Sequence, residues 1–193
     1  MRAHLLQIAI ALMVGCGGAA SPPAAPAAPA APVAAEEPPD PVVKPAGYVE
    51  VHAMRVVPLD GAAALLLLDE ASDVILPIFI GGTEAASIEH RMRGTTSPRP
   101  LTHDLLDAAV KKLRGSIVKV HVDALRDGTF HGSVYIRAGR RVLRLDARPS
   151  DAIALAIGNR APIYVARQVL DEAGVPRDEL LKQLPAGAGG PVT

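Results

Sequence analysis

The chain has 193 residues, 20 basic and 20 acidic, so its formal net charge is zero. That balance excludes a generally basic nucleic-acid coat and leaves any such binding to a local patch. Tryptophan is absent and only two Phe and three Tyr occur, which argues against an extended base-stacking surface.

Arg2 precedes an apolar run from Leu5 to Val14, a pattern of a secretory leader too short to span a bilayer stably. Met13-Val14-Gly15-Cys16 places small residues before the only cysteine of the chain. This resembles a bacterial lipoprotein cleavage box and implies a leader over 1–15 with lipid attached to Cys16. Residues 16–46 are rich in Ala and Pro and read as a disordered tether holding the domain off a membrane. The folded domain is expected over 47–184, followed by a disordered Gly/Pro-rich tail over 185–193.

Within the domain, Tyr48 to Val57 alternates as a half-buried strand, and Asp60-Gly61 predicts a hairpin into Ala62 to Leu68. The continuous run Leu65 to Leu68 predicts burial on both faces. Val74 to Ile80 is a third strand, with Pro77 marking an edge or bulge. Thr83 can cap a helix from Glu84 to about Arg93, and Thr102 a second one with an apolar stripe of Leu105, Leu106, Ala109, Val110 and Leu113. Strands follow over Ile117 to Leu125, Thr129 to Arg137 and Val142 to Asp146, the first two joined at Asp127-Gly128. A third helix is predicted from Ser150 to Ile157, then a strand from Pro162 to Val165 and a helix from Arg167 to Ala173.

The chemistry concentrates at two Arg-Pro corners. In Asp146-Ala147-Arg148-Pro149-Ser150-Asp151, proline pushes Arg148 towards extended backbone, Ser150 serves as N-cap, and Asp151 sits where the helix dipole favours an anion. In Arg99-Pro100-Leu101-Thr102-His103-Asp104, Thr102 and Asp104 take the same parts. If the corners converge, Arg99, Arg148, Thr102 and Ser150 would hold a phosphate-sized anion and His103 would move a proton. The ordinary alternative is a pair of well-capped helices with a structural Arg–Asp pair. The Asp127-Gly128 hairpin sets Val118, Val120, Val122, Phe130, Val134 and Ile136 on a core face. Its other face carries Lys119, His121, Asp123, Thr129, His131, Ser133, Tyr135 and Arg137, read as solvated or, failing that, as a phosphate or metal surface.

Several of these segments together resemble the bifunctional nuclease domain family. They are Leu76 to Gly81 with Glu84-Ala85, Arg99 to Leu105, Asp127-Gly128-Thr129-Phe130, Leu145 to Ala156, and Ala161 to Val165 with Val169-Leu170. The resemblance implies an α+β fold, a twisted mixed sheet with about four helices in a single domain that self-associates, as a dimer. It also implies a nuclease cleaving RNA or DNA, here tethered at the bacterial cell envelope. On that reading Asp146, Asp151, His103 and Asp104 are the catalytic set. A divalent metal ion, Mg2+ or Mn2+, would be held by Glu84, Asp146 and Asp151. The alternative is a non-enzymatic envelope module that binds an anionic ligand or a protein partner in the same pocket.

Overall fold

The structure, a computed structural model, describes residues 44–184. The expected leader, Cys16, the tail and all of the tether but residues 44–46 lie outside the described residues. Eight strands and five helices follow in order: β1 (Tyr48–Leu59), β2 (Ala62–Asp69), β3 (Val74–Ile80), α1 (Gly82–Met92), α2 (Thr102–Lys112), β4 (Gly115–Arg126), β5 (Thr129–Ala138), β6 (Arg141–Ala147), α3 (Pro149–Asn159), β7 (Ile163–Ala166), α4 (Arg167–Ala173), β8 (Val175–Pro176) and α5 (Arg177–Gln183). The strands form one sheet in the order β6-β5-β4-β7-β1-β2-β3-β8. Every neighbouring pair is antiparallel except β4 and β7, which run parallel. The architecture is the expected α+β fold. The parallel pair needs a long crossover, and the chain from β5 to α3 supplies it.

Burial on both faces of β2 is realised. Leu65 and Leu67 face the helices with Leu76, Ile78, Ile88 and Ile153, while Leu66 and Leu68 pack with Val57 and Ile75 on the other side. Leu180 and Leu184, in and just after α5, cover part of that second cluster. Helix α5 escapes a sequence reading because no residue in it is fully buried and its composition is mostly polar. Helix α3 is the central helix, with Ala152 through Ala156 all buried. Among the described residues no helix is long and apolar enough to cross a membrane.

Bulges decide which side chains face where. In β4 the register shifts between Ile117 and Lys119 and again between Val122 and Ala124. A bulge resets the alternation, so Ile117 joins Val120 and Val122 in the core, whereas Val118 is only partly buried. The opposite face is not solvated at its centre: Lys119 and His121 are both buried. The three tyrosines of the chain, Tyr48, Tyr135 and Tyr164, gather round the His121 ring at centroid distances of 4.6, 4.5 and 5.8 Å. Beside it Asp123 accepts hydrogen bonds from Tyr48 Oη (2.7 Å), Arg144 Nη2 (3.0 Å) and Ser133 Oγ. Burial pushes the Asp123 carboxyl up, but His121 and these three donors overcome it and hold Asp123 well below the usual carboxylate range. His121 Nδ1 lies 3.4 Å from Asp123 Oδ1, and both ring nitrogens are buried without a hydrogen bond among the described residues.

Burial lowers the His121 pKa, and Asp123 offsets this only in part. The folded protein therefore holds the ring neutral, while the unfolded chain takes up a proton below about pH 6.5. With more protons bound in the unfolded state, stability falls as pH drops through that value, by up to about 1.4 kcal/mol per pH unit. Thermal unfolding between about pH 7.5 and 5 measures this. His121→Phe should flatten the profile there, because Asp123 adds its own acid sensitivity only below about pH 4. Equal pH dependence in wild type and variant would refute the assignment.

Candidate functional site

Helix α3 starts one residue earlier than expected. Arg148 is its N-cap in extended backbone and Pro149 occupies the first turn, where its fixed φ suits a helix and its missing N–H costs nothing. Ser150, expected as the cap, lies inside the first turn, is buried and makes no cap hydrogen bond. Thr102 is likewise the first residue of α2 rather than its cap. The capping there falls to Asp104, whose Oδ2 accepts the Leu101 N–H at 2.9 Å.

Arg148 holds Asp151 with both arms of its fork, Nε to Oδ2 at 2.8 Å and Nη2 to Oδ1 at 3.0 Å. Nη2 also meets Glu84 Oε1 in the first turn of α1 at 2.8 Å. Behind Asp151, His103 Nε2 donates to Oδ1 at 3.1 Å, and Ser87 Oγ donates to His103 Nδ1 at 2.9 Å. Burial pushes the Asp151 carboxyl up, but the bonds from Arg148 and His103 overcome it and hold it below its ordinary value. The same contacts raise Arg148. Asp151 is thus fully ionised at neutral pH and points its hydrogen-bonding capacity at the corner.

The Ser87–His103–Asp151 row has the connectivity of a nucleophilic triad. Ser87 is only 3% exposed, so no substrate reaches its oxygen. Its hydroxyl orients the imidazole, and His103, both nitrogens engaged, orients Asp151. Ser87 escaped the sequence reading. The signal was its place between Ala85 and Ile88 on the buried side of α1, where a hydroxyl must find a partner.

A second network lies deeper. Arg91, with its side chain 7% exposed, meets Asp104 and Asp107 at 2.7 Å each and donates to the Ala154 carbonyl at 3.1 Å. Asn159 Nδ2 also donates to Asp107, at 2.7 Å. A Cβ at Gly158 would collide with Arg91 Nη1, so only glycine leaves room for this guanidinium where it stands. Asp104, expected in the catalytic set, is therefore a tie between α1 and α2.

The two Arg-Pro corners meet only in part. His103 reaches Asp151, but Arg99 sits exposed in the loop before α2, with no ion pair among the described residues. Asp146 stays away altogether. It pairs in register with Ser133 on β5, so it leaves the sheet on the face opposite Leu143 and Leu145 and is exposed there. Among the described residues no group of three or more His, Cys, Asp or Glu is placed to hold a metal ion. Glu84 and Asp151 are both tied to Arg148. The expected Glu84–Asp146–Asp151 cation site does not fit this arrangement.

What does form is a pocket of about 290 Å³. The N-termini of α1 and α3 contribute Glu84, Arg148 and Ser150, the β4–β5 turn contributes Gly128 to Phe130, and the end of β3 contributes Ile78 to Ile80. A larger cavity, about 670 Å³, opens between β1 and the far end of α3 and carries none of the expected residues.

The chain is 39% identical to the uncharacterized protein Rv1829 of Mycobacterium tuberculosis over 129 residues, covering 67% of this chain and 77% of that protein. It is 24% identical over 116 residues to bifunctional nuclease 1 of Oryza sativa subsp. japonica, covering 58% of this chain and 35% of the rice protein. The family model described as the bifunctional nuclease domain matches residues 65–178, from within β2 to the start of α5, which include the Arg148 corner and every residue lining the pocket. On that match, the chain belongs to the bifunctional nuclease domain family.

Proposed function

We propose that the protein hydrolyses phosphodiester bonds of nucleic acid, RNA or DNA, from a lipid tether at the bacterial cell envelope. The observation that carries the chemistry is Arg148, its side chain 67% exposed at a pocket and backed by an ionised carboxylate. Nη1 takes no part in either ion pair, and among the described residues it has no partner, which leaves it to a phosphate oxygen. A guanidinium there stabilises the charge that builds on the phosphoryl oxygens. Asp151 orients a water in line with the leaving oxygen, and the His103–Ser87 row keeps the carboxylate from turning away. Water attacks phosphorus and its proton passes out through the Asp151 carboxylate to solvent, and as the bond to the leaving oxygen breaks that oxygen takes up a proton from solvent. The family, with bifunctional nucleases among its plant members, supports the substrate class. The leader-like segment ending at Cys16 supports the tether. Self-association is supported by β6, an open sheet edge that leaves Leu143 and Leu145 part exposed.

The test is cleavage of single-stranded RNA and DNA by the purified protein, followed on gels beside the Arg148→Ala variant. Wild-type cleavage that the variant loses supports the reading, and no wild-type cleavage overturns it. An N-terminal peptide beginning at a lipid-modified Cys16 checks the tether.

A further inference from the structure

Counted over the chain, aromatic residues are too few for a stacking surface. The fold concentrates them. The chain has two phenylalanines, and both line the pocket at the Arg148 corner. Phe130 is partly buried and packs on the core, which makes it a fixed part of the floor. Phe79 is 71% exposed, although Ile78 and Ile80 on either side of it are buried. The ring stands at the pocket and presents a flat apolar face to whatever enters it. The same pocket presents the exposed Arg148 guanidinium, whose Nη1 has no partner among the described residues. An apolar aromatic wall next to a cation matches the two ends of a nucleotide, the flat base and the phosphate. The volume, about 290 Å³, suits a single small ligand.

We propose that Phe79 is a stacking platform for a nucleobase whose phosphate meets Arg148, and that the site therefore takes single-stranded nucleic acid. The inference rests on the nuclease reading of the same corner and adds what selects the substrate. A base inside a duplex is already stacked on its neighbours and cannot lie on Phe79 without being pulled out, whereas a single strand offers its bases at little cost.

The experiment is fluorescence anisotropy of a short labelled single-stranded oligonucleotide, its duplex form, an abasic strand of the same length, and competition by AMP. Phe79→Ala should weaken binding of the single strand by about 5- to 100-fold. Phe79→Trp should restore it, because indole stacks at least as well. The abasic strand should bind wild type and Phe79→Ala alike, a readout that a loss of folding would not produce. Single-strand affinity unchanged in Phe79→Ala, while Arg148→Ala weakens it, overturns the stacking role and leaves the nuclease reading standing. A Phe79 effect on AMP alone overturns the single-strand part of the proposal. A wild type that neither binds nor cleaves any strand removes both readings together.

Discussion

Asp151→Asn is expected to slow phosphodiester cleavage by about 10²- to 10⁴-fold while the protein stays folded. The amide keeps the shape of the side chain and can still accept from His103 Nε2, which lies 3.1 Å from Oδ1. It loses the charge that Arg148 grips at 2.8 and 3.0 Å and that orients the attacking water. Arg148→Lys should cost about 10²-fold, because one ammonium replaces a fork that spans two oxygens. The paired measurement is initial rate against thermal midpoint. If the corner is only a helix cap, the outcome is different: Asp151→Asn lowers the midpoint, and activity follows the folded fraction. Full activity in both well-folded variants would remove this corner as the active site.

The second large effect is on stability. Arg91→Ala should destabilise the domain by about 3–5 kcal/mol, the range for leaving a buried carboxylate without its partner. Asp107 would be the group stranded: its side chain is 11% exposed, and Asn159 would be its only remaining partner among the described residues. Asp104, 40% exposed, is rescued by water and contributes little to the loss. Gly158→Ala should act in the same direction by a smaller amount, since its Cβ displaces the same guanidinium. Urea unfolding followed by circular dichroism measures both, and a change under about 1 kcal/mol for Arg91→Ala would show that the network is dispensable. Arg91 is not at the pocket, so its variant should cleave normally in proportion to folded protein.

Read by local rules, the chain already placed most of the elements. Leu65 to Leu68 could only be a strand covered on both sides, and the Asp60-Gly61 and Asp127-Gly128 turns joined the right partners. The start of α3 was legible to within a residue from Pro149, although proline and not Ser150 shapes it. Asp146 could have been excluded too. It alternates with Leu143 and Leu145, so a strand with leucines on one face sends this carboxylate to the other. In β4 a bulge, invisible to period-two patterning, put Ile117 rather than Val118 in the core, whereas Lys119 and His121 kept the expected opposite face and are buried there against the tyrosine rings.

By itself the sequence determined the strands and helices from β1 to α4, though not β8 or α5, and it carried the motif residues whose resemblance to the family implied the α+β class. The elements follow from periodicity and turn residues, and the motifs from side-chain chemistry within a few positions of each other. Only the tertiary structure decided which charges meet. His103 reaches Asp151 across 48 positions, and Arg91 reaches the Ala154 carbonyl across 63. The parallel β4–β7 pairing and the packing of α1 and α2 against α3 bring those groups together. Such pairings depend on where elements dock, which local propensity does not encode, and they separate the Arg148–Asp151 corner from Arg99, Asp104 and Asp146.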